Sequence, residues 1–393
     1  MKIIEKEYCV GCTACANSCP EHCIIMKSDN EGFYYPQIDE NKCRDCNYCK
    51  KVCPVLNEKK TKKENRAYAI INKDDEIRME STSGGFFSIV AMYILKKQGI
   101  VVGAEYDKQF NVNHIVVEDI KDLYKLRGAK YTQSNLGSIF QIIKENLVNG
   151  RNVLFSGTSC QVAGLKNFLG KEYGNLLCID LVCHGVPSPK IWTEYIKYRA
   201  EQDNKGMYPE LINLRSKKTG WSNYSYSVQF VYNNGKEYLK SSGEDPFMRA
   251  FISNLSIRPS CAECKFRGID RDSDFTLGDF WGIWNQDKSM DDNKGTSLVY
   301  VHTKKAMQVL NDIKEEVSMK EMDIDKSWIE NPSVMKSVEL HCNKNLFYEE
   351  IDKKEKEFKV IVDDILGEIK NENNNYVKSK ISCLMHRFMK RRR

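Results

Sequence analysis

Long apolar runs are missing from this sequence of 393 residues. No stretch approaches the roughly 20 apolar residues that a membrane-spanning helix needs. Residues 1–7 carry charges where a secretory signal peptide has its apolar segment. We therefore expect a soluble, cytoplasmic protein.

A strong excess of one charge is missing as well. The formal net charge is +6, from 60 Lys and Arg against 54 Asp and Glu. Proteins that bind nucleic acids present a denser basic face, so we expect no nucleic-acid partner. Much of the positive charge lies at residues 59–63 and 390–393. The end of the chain, 385–393, is either a solvated tail or a weak contact with an anionic membrane surface.

Cysteine is the most informative residue type that is present, with 16 in the chain. Eight of them form two runs of the same pattern, Cys-x2-Cys-x2-Cys-x3-Cys-Pro, at residues 9–20 and 43–54. This is the spacing of bacterial two-cluster ferredoxins, in which the fourth cysteine of each run binds the other cluster. At 393 residues, 41% of them hydrophobic, the chain is long enough for one or two further domains.

The two runs predict two 4Fe-4S clusters with exchanged ligands. Three thiolates on one tight loop bind three irons of a cube, and the fourth iron takes its ligand from the other run. Zinc favours two Cys-x2-Cys pairs with a longer gap, and disulfides belong to oxidising compartments, so both fit poorly. The first set is Cys9, Cys12, Cys15 and Cys53, and the second is Cys43, Cys46, Cys49 and Cys19.

The rest of the chain has an α/β pattern. Strands and helices alternate from residue 67 to about 202, and the nearly all-apolar segment 176–183 predicts a strand buried on both faces of a largely parallel sheet. Between 211 and 241 the apolar period is two, and Asn-Asn-Gly at 233–235 predicts a hairpin, so we expect an antiparallel insertion. The predicted organisation is a small α+β ferredoxin-like domain (1–57), a linker (58–66), an α/β core (67–342) and a helical basic tail (343–393).

Two loops between a strand and a helix are candidate ligand sites. Residues 81–85 read Ser-Thr-Ser-Gly-Gly, and residues 156–159 read Ser-Gly-Thr-Ser. Free amides at a helix N-terminus bind phosphate where glycine allows close approach, but Ser83 also fits a simple N-cap. Two such loops in one sheet favour a nucleotide-like ligand at the carboxyl ends of its strands.

Four cysteines of the α/β core form a second candidate site. Cys160 and Cys183 each follow a strand, and Cys261 and Cys264 form a Cys-x2-Cys pair. Converging thiolates would make a third iron–sulfur site, whereas a zinc site, a redox-active dithiol or a merely small, buried Cys160 fit the same spacing. His184 is either a proton donor to a substrate or a local hydrogen-bond partner.

The segment Arg-Gly-Ala-Lys-Tyr at 127–131 is a third candidate. Its lysine, Lys130, either lies in a solvated surface turn or faces the N1/C2 carbonyl region of a flavin. Positive charge in that region stabilises the reduced anion of the ring.

Taken together, these motifs resemble the beta-subunit family of coenzyme F420 hydrogenases and dehydrogenases, fused to an N-terminal two-cluster ferredoxin domain. Two positions depart from the family pattern without removing a proposed ligand: Ser159, where members often have proline, and Ala129, where they often have serine. The resemblance rests on segments 81–85, 128–131, 154–161, 180–187, 261–267 and 274–282, in the order of the family.

The resemblance implies an FAD held beside a 4Fe-4S cluster in the core. On this expectation the third cluster is bound by Cys160, Cys183, Cys261 and Cys264, and Lys130 and His184 act in catalysis. The residues expected to bind the flavin are Ser81, Ser83, Gly84, Gly85, Lys130, Gly157 and Thr158.

The implied function is an iron–sulfur flavoprotein oxidoreductase. Electrons from a ferredoxin-like or other redox partner protein would pass through the clusters to FAD and on to a small-molecule substrate. Because the family includes members from bacterial surface-polysaccharide gene clusters, that metabolism is one expected setting. The alternative is an electron-transfer subunit without its own substrate. A third class is a zinc-dependent binding module that uses the basic tail, and such a protein would be colourless.

Overall fold

An eight-stranded mixed sheet forms the centre of the computed structural model, which describes residues 2–58, 64–222 and 225–371. The basic segment 59–63 and the basic end of the chain, for which membrane contact is predicted, lie outside these ranges. Within them, no helix is both long and apolar enough to cross a bilayer.

The strands and helices follow in chain order. The strands are β1 (Ile24–Ser28), β2 (Tyr34–Ile38), β3 (Arg66–Asn72), β4 (Ile100–Tyr106), β5 (Val112–Val117), β6 (Val153–Thr158), β7 (Leu176–Leu181), β8 (Leu211–Ser216), β9 (Ser227–Val231), β10 (Glu237–Ser241), β11 (Phe275–Asp279), β12 (Ser297–Val301) and β13 (Val317–Met322). The α-helices are α1 (Ala14–Ser18), α2 (Tyr48–Lys51), α3 (Asp75–Glu80), α4 (Phe86–Lys96), α5 (Ile139–Val148), α6 (Ser159–Leu169), α7 (Pro189–Asn204), α8 (Pro246–Ile252), α9 (Ile283–Gln286), α10 (Lys304–Asp312), α11 (Lys344–Lys353) and α12 (Phe358–Asn371).

The main sheet has the order β13-β3-β12-β11-β7-β6-β4-β5. Its central strands β4, β6, β7 and β11 are parallel, and the pairings on both flanks are antiparallel. The predicted α/β core is confirmed, with its parallel part confined to the centre. The chain turns from β4 into β5 within residues 107–111, and so short a connection permits only an antiparallel pair.

The central strands are apolar because helices cover both of their faces. In β7, Cys178 and Ile179 are fully buried and point to opposite sides. Ile179 belongs to the cluster that packs against α4, and Cys178 belongs to the cluster that packs against α5 and α6. A strand enclosed in this way reads as a continuous apolar run, as predicted for residues 176–183.

The predicted antiparallel insertion is confirmed as a separate three-stranded sheet with the order β10-β9-β8. Gly235, with φ +78°, occupies the hairpin turn that brings Glu237 opposite Val231. This small sheet shares one apolar cluster with α7, α8, α11 and α12, in which Phe347 and Ile361 are buried. The two helices near the end of the described chain therefore complete the core of the insertion.

The two cysteine runs have the same backbone conformation. Thr13 and Asn47, each directly after the second cysteine of its run, lie in the left-handed region with φ 63° and 56°. A short helix follows each of them, α1 in the first run and α2 in the second. The repeated spacing is therefore matched by a repeated turn, which curls each run around its own site.

Arg258 of the core joins the first cysteine run to the α/β domain. Its side chain is 1% exposed. It donates hydrogen bonds to the carbonyl oxygens of Cys9 (Nε, 2.7 Å) and Tyr34 (Nη2, 3.1 Å) and to Oε1 of Gln133 (Nη1, 3.0 Å). The same Gln133 oxygen accepts a bond from the Tyr34 amide at 3.0 Å. A buried guanidinium needs such acceptors, so this residue contributes to fixing the position of the first run.

We expect Arg258→Leu to lower the free energy of unfolding by about 3 kcal/mol, because three bonds from a charged donor are lost and buried carbonyls lose their partner. Proteolysis in the 58–66 segment should then release the ferredoxin-like region more readily. The matched control is Arg151→Leu, whose guanidinium forms a partly exposed pair with Glu118 at 3.1 Å and should change stability by at most about 1 kcal/mol. Equal effects in urea titrations of the two variants would contradict the assignment.

Candidate functional site

The cysteines of the first predicted set lie close to one another. Burial, and then the charges of Cys9 and Cys53, raise the pKa of Cys15. Burial also raises the pKa of Cys12, with Cys15 and Cys53 among the neighbours that add to the effect. Cys53, which follows α2 of the second run, is thus close to the thiols of the first run, as the predicted exchange of ligands requires.

The second predicted set lines one small pocket. Cys19, from the first run, faces Cys43, Cys46 and Cys49 there. A fifth cysteine, Cys23, lines the same pocket with its sulfur 3.3 Å from that of Cys19. Sequence analysis did not include Cys23 among the site residues, although its position four residues after Cys19 was a usable signal. Cys46 is exposed, so this set lies nearest to the solvent.

The four core cysteines converge although they come from three separate segments. Cys160 lies in the first turn of α6, and Cys183 follows β7. Cys261 and Cys264 arrive on the segment after Ile257, which forms a bridge with Pro187. All four thiols line one pocket.

The chemistry of these thiols suits a bound cationic group. Burial, and then the neighbouring core cysteines, raise the pKa of Cys160, and the same two causes raise that of Cys261 to about 12. Thiols with a raised pKa stay protonated at neutral pH unless a metal binds them, and a coordinated thiol is deprotonated outright. The chemistry of these residues therefore fits a bound metal group, and iron–sulfur clusters and zinc sites share this chemistry.

Within 2–58, 64–222 and 225–371, no three His, Cys, Asp or Glu side chains are placed to hold a single metal ion. The thiolates of a 4Fe-4S cluster each bind a different iron and lie farther apart than the ligands of one ion. The absence of such a group therefore excludes only a site for a single metal ion in these ranges.

The first cysteine set touches the core site. Gly164 of α6 lies against Cys12, and a Cβ built on this glycine would be 2.9 Å from the Cys12 sulfur. Cys160 is one helical turn earlier in α6, and its charge contributes to the raised pKa of Cys12. Val10, next to Cys9, lines the pocket of the core cysteines. A glycine at 164 is thus what allows the two sites to come together.

A cavity of about 540 Å³ opens on the other side of Cys183. It lies at the carboxyl ends of β6, β7 and β11, where doubly wound sheets bind ligands, and its volume is typical of a ligand site. Cys183 lines both this cavity and the pocket of the core cysteines. The residues predicted to bind a flavin or its substrate that line the cavity are Ser81, Ser83, Gly85, Lys130, Gly157, Thr158 and His184.

Gly84 lies elsewhere. A Cβ at this position would be 2.2 Å from the Ile70 carbonyl oxygen and 2.6 Å from the Ser297 amide nitrogen. Glycine is needed here because the loop crosses closely over β3 and β12. The N-cap of α4 is Gly85 and not Ser83, whose hydroxyl donates to the Thr296 carbonyl oxygen at 2.8 Å.

Lys130 lines the cavity, but its ammonium group already has partners. Nζ donates to the carbonyl oxygens of Arg127 at 2.6 Å and Lys125 at 3.1 Å. Burial lowers the pKa of Lys130 to about 7, although Glu105 acts in the opposite direction. Lys130 is thus partly buried on the cavity wall, and the charge of this lysine depends on pH near neutrality.

Two histidines lie on the cavity wall. Nε2 of His184 is 2.7 Å from Oδ1 of Asn254, and burial lowers its pKa. His114, which sequence analysis did not single out, has Nε2 at 3.1 Å from the Ser156 carbonyl oxygen. Its Nδ1 is buried without a partner among the described residues, and burial lowers its pKa to about 4. His114 is thus a neutral ring with a free acceptor.

A further polar pair was missed by sequence analysis. Arg215 of β8 and Asp279 of β11 both line the cavity, with Nη2 and Oδ2 3.0 Å apart. They are 64 positions apart in the chain and come from different sheets, so no local pattern linked them.

Lys130 should make stability depend on pH. The unfolded lysine titrates near 10.5 and the folded one near 7, so the unfolded chain binds more protons between these values and stability rises with pH there. Lys130→Met should flatten that rise by at most about 1.4 kcal/mol per pH unit. Urea titrations from pH 7 to 10 measure it, with exposed Lys108→Met as the control. An unchanged slope would mean that Lys130 stays charged when folded.

Known proteins resemble this chain in two parts. Residues 8–57 match the family model of the 4Fe-4S dicluster domain, and residues 150–327 match that of the C terminus of the coenzyme F420 hydrogenase/dehydrogenase beta subunit. The F subunit of the F420H2 dehydrogenase of Methanosarcina mazei is 23% identical over 216 residues, which are 50% of this chain and 60% of that protein. The chain thus spans about three fifths of the length of this relative.

Two further proteins are similar to other portions of this chain. An uncharacterised ferredoxin of Methanocaldococcus jannaschii is 36% identical over 53 residues, 14% of this chain and 68% of that protein. A chain of the F420-reducing [NiFe] hydrogenase complex from Methanosarcina barkeri aligns with 79% of this chain and 92% of its own, at 15% identity and a TM-score of 0.44. The chain therefore contains two matched domains, a 4Fe-4S dicluster domain at residues 8–57 and, at residues 150–327, a domain that matches the C terminus of the coenzyme F420 hydrogenase/dehydrogenase beta subunit.

Proposed function

We propose that this protein is an iron–sulfur flavoprotein that carries electrons from a ferredoxin-like donor, through three 4Fe-4S clusters, to FAD and a small-molecule substrate. One observation carries the proposal: Cys183 lines both the pocket of the core cysteines and the large cavity. A cluster held by the four core thiolates would therefore share a wall with a ligand in the cavity.

The cysteine sets form a continuous series from the surface to this wall. Cys46 of the second set is exposed. Cys49 of that set is close enough to add to the raised pKa of Cys15 in the first set. The first set meets the core site at Cys12 and Cys160. Electrons would enter at the exposed end and leave at Cys183, with each step between neighbouring sets.

The cavity wall fits FAD in two respects. The loops 81–85 and 156–159 both reach it, and they are the candidate phosphate sites. Three buried polar atoms on its wall lack a partner among the described residues: His114 Nδ1, Arg215 Nε and Asp279 Oδ1. Unsatisfied atoms of this kind cost about 1–3 kcal/mol each unless a ligand or water pairs them. A bound FAD supplies the exchange between one-electron and two-electron chemistry.

The chain's own residues then have separate tasks. Lys217 holds the loop 81–85, because its Nζ donates to the carbonyl oxygens of Arg78 and Ser83, each at 2.6 Å. Asn254 orients His184 beside Cys183, with Oδ1 of the asparagine 2.7 Å from Nε2 of the ring, and we propose that His184, when its imidazole is protonated, is the proton donor to the substrate. The apolar residues Met248 and Phe251 limit the access of water on the same wall.

The second candidate function is an electron-transfer subunit that serves a partner enzyme. It is favoured by the relative from Methanosarcina mazei, which is named as a subunit of a dehydrogenase. Reduction of the bound flavin by a ferredoxin-type donor, followed by turnover of candidate substrates without any added protein, supports the first function. Reduction without turnover until a partner protein is added supports the second.

Iron analysis after anaerobic purification tests the cluster content. We expect about twelve iron atoms per chain, four for each cluster. Cys261→Ser should lose about four of them and keep the two N-terminal clusters, together with much of its FAD, but should lose flavin reduction by a ferredoxin-type donor. The control is Cys342→Ser, an exposed cysteine outside all three sets. About eight irons and one zinc in the unmodified protein would instead identify the core cysteines as a zinc site.

The second N-terminal cluster has a spare thiol beside it. Because the sulfur of Cys23 is 3.3 Å from that of Cys19, Cys19→Ser alone should keep part of this cluster through Cys23. The double variant Cys19→Ser/Cys23→Ser should lose about four irons while the first cluster remains. Cys23→Ser serves as the control and should keep all of its iron. Loss of both N-terminal clusters together would contradict the assigned sets.

A further inference from the structure

The strongest unexplained feature of the cavity wall is a buried ion pair. The side chains of Arg215 and Asp279 are 5% and 16% exposed, and Nη2 lies 3.0 Å from Oδ2. Within the described parts of the chain, Nε of the arginine and Oδ1 of the aspartate have no hydrogen-bond partner, whereas Nη2 faces Oδ2 of the pair. The Tyr131 side chain also interacts with the guanidinium. The pair therefore presents a free donor and a free acceptor side by side.

Two aromatic rings pack against the guanidinium of Arg215. Its carbon lies 3.9 Å from the ring centroid of Tyr226 and 4.9 Å from that of Trp281. Trp281 is itself stacked on Trp221, with centroids 4.9 Å apart. Aromatic rings that pack on a guanidinium leave the N–H groups along its edge for hydrogen bonds. An edge of this kind recognises planar polar groups.

The register of the sheet places this pair next to the core cysteines. Leu277 of β11 is opposite Leu181 of β7 in a parallel ladder. Asp279 and Cys183 each follow two residues later, so they leave neighbouring strands at the same level. A planar group bound at the arginine edge would therefore lie beside the wall that Cys183 shares with the core site.

The pattern of donor and acceptor defines the class of ligand. A carbonyl oxygen would accept from Nε, and an adjacent N–H would donate to Oδ1. Arginine and carboxylate side chains read base edges by the same pairings. The pyrimidine ring of a flavin carries a carbonyl group beside an N–H, whereas the adenosine diphosphate half of FAD reaches the protein mainly through phosphates.

We propose that Arg215 and Asp279 bind the carbonyl and N–H edge of the flavin ring and orient the ring toward Cys183. This inference rests on the proposed function. It also assigns to Arg215 the stabilising charge that sequence analysis expected from Lys130. The guanidinium is always protonated, whereas Lys130 donates to backbone carbonyl oxygens of its own loop.

Ligand titrations of the FAD-free protein test the proposal. We expect Arg215→Gln and Asp279→Asn to raise the Kd for FAD and for riboflavin about tenfold or more, because a hydrogen bond to a charged group is worth about 1.5–3 kcal/mol. The Kd for ADP should not change, since ADP lacks the ring. Arg151→Gln, which breaks a partly exposed ion pair with Glu118 outside the cavity lining, is the control and should leave all three values unchanged.

Two further variants separate recognition from folding and charge from geometry. Removing one partner of a buried pair leaves an unpaired charge and can unfold the protein, so the neutral double variant Arg215→Gln/Asp279→Asn is titrated as well. Arg215→Lys keeps the charge without the planar edge. It should weaken FAD binding but preserve the midpoint potential of the bound FAD, which Arg215→Gln should lower.

Each outcome has one meaning. If the unmodified protein binds neither FAD nor riboflavin, the proposed function is wrong, and this assignment with it. If it binds both and the double variant binds them equally well, only the assignment is wrong. A parallel rise in the Kd for ADP would show that the pair supports the fold and does not read the ring.

Discussion

The parallel register of β6, β7 and β11 determines where the core groups meet. Ser156 lies opposite Ile179, and Leu181 lies opposite Leu277, so the three strands end at one level of the sheet. The polypeptide that leaves each end carries a different group: Cys160 after β6, Cys183 after β7, and Asp279 at the end of β11. Apolar packing on both faces fixes the register, because a shift along a strand would move buried residues out of their clusters. The position of the candidate redox site is thus set by the packing of the strands.

Arg258 connects this edge with the N-terminal domain. It precedes Cys261 and Cys264 on one segment, and its guanidinium donates to the carbonyl oxygens of Cys9 and Tyr34. The residue that positions the core Cys-x2-Cys pair therefore also positions the first cysteine run. A displacement of either domain would therefore change the positions of the cysteines at both sites. The covalent order of the chain would not suggest this, since Cys9 and Arg258 are separated by most of the described core.

Structural features that repeat, or that have a regular apolar period, are predicted well from the sequence. The matching runs at 9–20 and 43–54, the apolar strand at 176–183 and the hairpin at 233–235 all carry their signal within one segment, and the structure contains the corresponding elements. Contacts between distant segments leave no such signal. The pairing of Arg215 with Asp279, the free Nδ1 of His114 and the packing of α11 and α12 against the insertion depend on tertiary geometry alone. Gly84 illustrates the converse case, because its motif was visible but its role lies in the contact with Ile70 and Ser297.

Burial also determines which side chains of the cavity wall carry a charge. Burial lowers the pKa of Lys130 to about 7 and that of His114 to about 4, so neither provides a constant positive charge at neutral pH. Arg215 is buried too, but burial cannot deprotonate a guanidinium in this range. Its charge is compensated by Asp279 and by two aromatic faces, and it therefore persists beside the cavity in every protonation state of the neighbouring residues. A wall with a permanent cation at Arg215 and several neutral donors and acceptors suits a ring whose own charge changes during electron transfer, since the surroundings need not reorganise when the charge appears.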